Sequence, residues 1–333
     1  MKYVELFGGI GGFSLGIKKA YPEAECVGYY EIDKYAVQTY NKNFGTDWKP
    51  MDITKVDAKD VPEHDILCAG FPCQSFSIAG KRLGFEDTRG TLFFEIARIA
   101  KRRKPQILFL ENVKGLLSHD KGRTFATILA TLDELGYNAE WQVLNSKYFG
   151  VPQNRERVFI IGHLRGKSGR QVFPISNKNT EVNQGKELPE QISNTLRTNY
   201  SNGYSNETYV LEEKREYDNI SPNLMARART DETPLIFAMR GIGEENTQTM
   251  EINQEGVSNT LSGVQKDNLV LEIRNQERSI RRLTEIECER LMGFPDRFTE
   301  GVSATQRYKQ LGNSVVVNII EVITKKLKEG IKI

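Results

Sequence analysis

The stretch "AGFPCQSFSIAG", Ala69 to Gly80, sets a proline and a cysteine where an apolar run stops and a small, hydroxyl-rich loop begins. Cys73 follows Pro72 after "DILCAG", an expected strand, and open α/β sheets bind ligands at the carboxyl ends of their strands. Gln74, Ser75, Ser77, Ala79 and Gly80 behind it are small or polar, so a substrate could reach the thiol. A thiolate is a strong nucleophile once its pKa is depressed or an acid–base partner stands beside it; a loop cysteine without such help is usually a spectator. Glu111 closes "FLENV" at the end of another apolar run. It is either a hydrogen-bonded structural acid or, next to an attacking thiolate, a group able to protonate a ring nitrogen. Arg155 and Arg157 in "VPQNRERVFIIG" alternate onto one face of a strand start. They could pair with Glu156 or Asp87, or clamp a carbonyl oxygen and a phosphate.

A second constellation is "LFGGIGG", Leu6 to Gly12. Clustered glycines between a strand and a helix bring the backbone close to a ligand and aim helix N-terminal amides at it. Glu31 lies 20 residues after Gly11 at the end of a second strand, where an acid accepts from ribose hydroxyls. Ser14 stands where a dinucleotide fingerprint needs its last glycine, which disfavours a nicotinamide site. A tight turn and an adenosyl ligand without pyrophosphate remain as readings.

The elements that must position these residues alternate. Strands are expected at Lys2–Phe7, Cys26–Glu31, Asp65–Gly70, Gln106–Asn112, Ala139–Asn145 and Arg157–Leu164. Helices are expected at Phe13–Ala20, Lys34–Asn43, Thr91–Lys104 and Arg123–Leu135. Such alternation predicts an α/β fold with a doubly wound, mostly parallel sheet. Around Pro174 the texture changes: Asn, Ser, Thr and Glu dominate, and "ISNTLRTN", "ISPNLMAR" and "VSNTLSGV" each precede a short strand-like run. Helices return with Thr284 capping a segment through Leu291 and with a last helix over 314–328.

At 333 residues the chain is comfortable for a large domain plus a smaller one. Its net charge of +2 hides a division: residues 174–275 hold ten basic and sixteen acidic side chains, leaving 36 basic and 28 acidic elsewhere. The basic flanks suit a polyanion. Cys26, Cys68, Cys73 and Cys288 include no C-x-x-C pair, and only His64, His119 and His163 could join them, so no metal site is expected. Cys26 and Cys68 read as small buried hydrophobes, and Cys288 lies along a helix. No apolar run has the roughly 18 residues of a membrane span, and no signal core follows the N-terminus, so the expectation is a cytoplasmic protein.

In combination and order, "FGGIGG", "EID", Asp52–Ile53, "GFPCQ", "ENV", "QNRER", "RRLTEIECERLMGFP" and "YKQLGNSV" resemble the bacterial-type cytosine-C5 DNA methyltransferases, over about residues 1–165 and 279–328. The resemblance implies a class I methyltransferase, Rossmann-like catalytic domain of residues 1–165 plus 279–333. It also implies a loop- and strand-rich target recognition domain at 166–278. Phe7, Gly9 and Gly11 match the S-adenosyl-L-methionine loop, and Glu31 matches the ribose acid, with Ile32 against the adenine. Asp52 and Ile53 match the pair at the adenine amino edge. Pro72, Leu92, Asn313, Ser314 and Val315 fall on further cofactor-contacting positions. Cys73 matches the nucleophile that attacks cytosine C6, Glu111 the acid at N3 and the amino group, and Arg157 the arginine on O2. Arg155 matches the residue supporting the closed catalytic loop.

The loop from Ser75 to Gly90 should close over a flipped-out base, with Ser75, Ser77, Lys81, Arg82 and Arg89 toward DNA. Thr260 and Leu261 match the family's Thr-Leu dipeptide, and Arg227, Arg229 and Arg240 are candidate readers of guanine. The implied partner is double-stranded DNA, the implied product S-adenosyl-L-homocysteine, and the expected state a monomer. An RNA cytosine-C5 methyltransferase and a non-catalytic DNA-binding relative are the alternatives; Cys73, Glu111 and Arg157 together argue against the second.

Overall fold

The computed structural model describes residues 1–72, 92–167, 171–175, 235–242, 247–252, 258–259, 261, 268–274 and 277–330. The apolar runs of the N-terminal half become β1 (Lys2–Leu6), β2 (Glu25–Tyr30), β3 (Ile66–Gly70), β4 (Ile107–Val113) and β5 (Tyr137–Asn145), then, after a two-residue β6 (Gln153–Asn154), β7 (Glu156–Leu164). All but β6 join one six-stranded sheet in the order β2-β1-β3-β4-β7-β5. Neighbours from β2 to β4 run parallel, and β7 runs antiparallel to β4 and β5. The sheet is therefore mostly parallel, as its Val-, Ile- and Leu-rich central strands require, because both faces must be covered. Val4, Leu6, Leu67, Ala69, Leu108, Leu110, Val158 and Ile160 share the core beneath the helices. The strand order reverses direction between β1 and β3, which puts the segments after these two strands at the switch point where such sheets bind ligands.

The helices are α1 (Gly12–Ala20), α2 (Lys34–Phe44), α3 (Leu92–Arg103), α4 (Arg123–Glu134), α5 (Glu285–Leu291), α6 (Ala304–Asn313) and α7 (Val317–Gly330). Thr284 caps α5 in a capping box with Glu287, as the spacing predicts. The last helix begins at Val317 rather than Ser314, and α6 precedes it where no helix is expected. Ser303 starts α6: its carbonyl accepts from Arg307 N–H, and its hydroxyl from Gln306 N–H. Few apolar residues mark this helix, with Tyr308 and Leu311 buried, so its periodicity is weak.

Contacts group the chain into two units. One comprises Met1–Asn145, Glu156–Asn179 and Ser314–Ile333; the other comprises Ser146–Arg155 and Thr180–Asn313. The first contains the six-stranded sheet, with α1 packed on α7. In the second, β8 (Leu235–Ile242), β9 (Thr247–Ile252), β11 (Asn268–Arg274) and β12 (Glu277–Arg282) form an antiparallel sheet in the order β12-β11-β8-β9. There β10 (Ser258–Asn259) pairs in parallel with β6. The expected strand-like runs after "ISPNLMAR" and "VSNTLSGV" are β8 and β11, and the one after "ISNTLRTN" lies outside the described residues; β9 and β12 are additional, their polar sequences hiding the alternation.

Candidate active site

The glycine turn between β1 and α1 is bent by backbone that most residues avoid. Phe7 has φ +54, and Gly9 and Gly11 have φ +53 and +86. Gly11 N–H donates to Gly8 O at 2.9 Å and Gly8 N–H to Tyr30 O at 3.2 Å, so the turn is stitched to itself and to β2. A side chain at Gly9 would meet no atom within 4 Å, so glycine is needed there for its left-handed backbone and leaves open space above it. Glu31, just beyond β2, accepts Gly9 N–H on Oε2 at 2.9 Å and Asp33 N–H on Oε1 at 2.8 Å, which fixes the acid at the rim of that space.

Met51 N–H donates to Glu31 O at 2.7 Å, which brings Asp52 and Ile53 alongside. Asp52 caps a 3-10 turn over Ile53–Lys55 by accepting from Thr54 N–H and Thr54 Oγ1, and these bonds hold its carboxyl below the usual range. Ile53 is buried, whereas Ile32 is 67% exposed, a large apolar side chain with nothing covering it among the described residues. Ser314 and Val315 approach the first residue of α1, since a Cβ on Gly12 would lie 2.8 Å from Ser314 Oγ and 2.7 Å from Val315 Cγ2. Leu92 opens α3, and Asn313 closes α6 in the other contact unit.

At the adjoining edge, β3 and β4 pair so that Gly70 lies opposite Glu111. Asn112 Nδ2 donates to Phe71 O at 2.8 Å, which ties the exit of β3 to that of β4. Pro72 is the last described residue before Cys73. Glu111 is buried in the carboxyl end of β4, and Arg157 Nε, from β7, lies 3.1 Å from its Oε1. Its other oxygen, Oε2, would stand 3.4 Å from a Cβ on Gly70, so it faces the β3 exit. Burial draws the Arg157 guanidinium below its ordinary pKa, and Glu111 offsets part of that. A carboxyl group and a guanidinium, both mostly removed from water, thus converge at the exit of β3.

Arg155 is placed differently from Arg157. The strand begins at Glu156, so Arg155 precedes it; its side chain is buried and donates to Gly312 O at the end of α6, 3.1 Å away. The Glu156 carboxylate pairs with Lys114 at 2.8 Å, while Arg157 Nη1 donates to the Glu156 backbone carbonyl at 2.8 Å. Leu261 is buried, and Arg240 lies on β8. Cys73, Ser75, Ser77, Lys81, Arg82, Arg89, Arg227, Arg229 and Thr260 lie outside the described residues. Cys68 is buried, as expected, and Cys288 on α5 is buried as well, with burial raising both thiols; Cys26, expected to be buried, is only half-buried, and its thiol is pushed up to about 11. Sequence reasoning passed over Asn112, whose signal is a polar residue ending an apolar run beside Glu111. It also passed over Glu5, a carboxylate inside "KYVELF".

Residues 1–329 match the family described as C-5 cytosine-specific DNA methylase. The chain belongs to that family. It is accordingly an enzyme, a DNA cytosine-5-methyltransferase. It is 43% identical over 331 residues to the Type II methyltransferase M1.ScrFI of Lactococcus lactis subsp. cremoris, across 98% of this chain and 78% of that protein. To the Type II methyltransferase M.NlaX of Neisseria lactamica it is 40% identical over 334 residues, 99% of this chain and 97% of the other. The solved S. pombe Dnmt2 methyltransferase superposes with a TM-score of 0.61 at 22% identity, covering 98% of both chains, which speaks to the fold. Among the described residues no cluster of acidic, His and Cys side chains is arranged to hold a metal, and no helix is long and apolar enough to cross a membrane.

Proposed function

We propose that this methyltransferase modifies C5 of a flipped-out cytosine in a specific short duplex DNA site, through a transient bond from Cys73 to C6. The observation that carries this reading is the Glu111–Arg157 pair, 3.1 Å apart at the strand edge from which Pro72 leads to Cys73. Cytosine C5 is a poor nucleophile. Addition of the Cys73 thiolate to C6, with Glu111 delivering or sharing a proton at N3, turns C5 into an enamine carbon able to accept a methyl group. Arg157 holds the O2 carbonyl and keeps Glu111 oriented. Loss of the C5 proton to a base and expulsion of the thiolate then restore the aromatic ring and the free cysteine. The target must leave the stack, at a cost of a few kcal/mol.

S-adenosyl-L-methionine supplies the methyl group and leaves as S-adenosyl-L-homocysteine. Three features fit an adenosyl ligand: the open space over Gly9, the rim carboxylate of Glu31, and the uncovered Ile32, on which a purine can lie. Phe7, Gly11, Asp52, Ile53, Pro72, Leu92, Ser314 and Val315 complete the proposed pocket. Residues 166–278 form the target recognition domain in this reading, with Arg227, Arg229, Arg240 and the Thr260–Leu261 dipeptide at the DNA, and residues 1–165 with 279–333 form the catalytic domain. The basic flanks hold phosphates while the acidic middle reads bases. The enzyme acts as a cytoplasmic monomer of a restriction–modification system, in keeping with the Type II methyltransferases among its relatives. Bisulfite sequencing of DNA from cells expressing the chain should reveal protected cytosines in one short context. Uniform conversion with active protein present would refute the reading.

A further inference from the structure

Beneath the glycine turn lies a carboxyl group for which the methyl-transfer scheme has no use. Glu5 sits on β1 and is fully buried. Ser14 Oγ, in the first turn of α1, donates to Glu5 Oε2 at 2.5 Å; Tyr3 OH donates to Ser14 Oγ at 3.0 Å, and Tyr40 OH lies 2.8 Å from it. Glu5 Oε1 is buried and has no hydrogen-bond partner among the described residues. A carboxylate in such a place needs several donors or a cation. The groups facing it are neutral or acidic: Tyr3 on its own strand, Ser14 on α1, Cys26 and Tyr29 on β2, Glu31 beyond β2, Tyr40 on α2 and Cys68 on β3. Burial pushes the Glu5 carboxyl up to about 8; the Ser14 hydroxyl and the Ser14 and Phe13 backbone N–H groups at the start of α1 pull it back, and Glu31 pushes it further.

We propose that Glu5, as a neutral acid, is a positioning residue for the cofactor loop, supporting the Gly8–Gly11 turn from below and unseating it on ionisation. Gly8 packs against the Tyr29 ring and this side chain, since a Cβ there would lie 2.6 Å from Tyr29 Cε2 and 3.1 Å from Glu5 Cγ. The same turn delivers Gly9 N–H to Glu31. An anion at Glu5 would repel the Glu31 carboxylate, and its Oε1 has no hydrogen-bond partner among the described residues to offset that charge. The inference rests on the proposed cofactor site, with the protonated fraction of Glu5 being the binding-competent fraction.

Calorimetric titration of the full chain with S-adenosyl-L-homocysteine across pH 6.5 to 9.5 tests it. The affinity is expected to hold up to a break near pH 8, then fall by up to about tenfold per pH unit, following the competent fraction. In Glu5→Gln, which cannot ionise, that fall disappears, and only the titration of the ligand's own amino group, common to both proteins, remains. Ser14→Ala removes a donor that favours the carboxylate, so its break moves to higher pH. Wild-type and Glu5→Gln profiles that coincide would overturn this inference and leave the cofactor site standing. Absence of binding by the wild type at every pH would overturn both.

Discussion

The Asn112 side-chain amide holds the Phe71 carbonyl at 2.8 Å, so the strand end that leads through Pro72 to Cys73 is fastened to the strand end that bears Glu111. Neither residue carries out chemistry. Their bond ties together the exits of β3 and β4, from which Cys73 and Glu111 are proposed to act, and both partners are buried, where a hydrogen bond is least exchangeable with water.

Asn112→Ala should therefore lower kcat more than it raises KM for DNA. Small displacements of a nucleophile cost up to about 100-fold in rate, and the orphaned carbonyl costs about 1–3 kcal/mol of stability. Steady-state kinetics and urea unfolding on the same preparation check both, and an unchanged kcat in a destabilised protein would reduce the bond to a structural one.

Glu111 and Arg157 should separate by what they lose. Glu111→Gln keeps the shape and removes the proton donor, so methyl transfer falls by roughly 100- to 10,000-fold while fold and DNA affinity persist. Arg157→Ala leaves a buried carboxylate without its cation and should destabilise the protein by about 3–5 kcal/mol as well as slowing it. Paired kinetic and melting measurements distinguish these outcomes.

The architecture was legible wherever one signal ruled a segment. Continuous apolar runs such as "ILFLEN" could only be buried strands, and the glycine cluster after Leu6 announced a turn. Helix α6 is hard to see in the sequence because Tyr308 and Leu311 are the only apolar residues on its buried side, and its start rests on a single Ser303 hydroxyl accepting from Gln306 N–H. Arg155 and Arg157, two residues apart, looked alike in the sequence. Their fates depend on partners far along the chain, Gly312 for one and Glu111 for the other, which spacing does not encode. Glu5 was hidden for the same reason: its meaning lies in Ser14 and Tyr40, brought to it by α1 and α2, together with Tyr3 two residues away on its own strand.

Ile32 offers a test of the adenosyl pocket without touching polar machinery. With 67% of its surface exposed, Ile32→Ala should leave thermal stability nearly unchanged. If a purine covers that side chain, KM for S-adenosyl-L-methionine should rise about tenfold, since covering it is worth roughly 1–2 kcal/mol. An unaltered KM would move the adenine elsewhere.

Glu5 also makes a prediction about stability. Its folded-state pKa of about 8 stands above the ordinary 4.5, so between those values the native protein keeps a proton that the unfolded chain releases. Stability contributed through this group therefore declines as pH rises through that window and levels off above it. Glu5→Gln should lack this decline and exceed the wild type by an amount on the order of a few kcal/mol near pH 8. Urea unfolding at successive pH values checks the sign, and parallel curves for the two proteins would contradict it.

The central claim is a covalent bond between one sulfur and one pyrimidine carbon. Duplex DNA with 5-fluorocytosine at the methylated position, incubated with enzyme and S-adenosyl-L-methionine, should trap a stable protein–DNA adduct whose modified peptide contains Cys73, because fluorine cannot leave as the C5 proton does. Cys73→Ala should form none. An adduct on another residue, or none at all from protein that methylates ordinary DNA, would contradict the account.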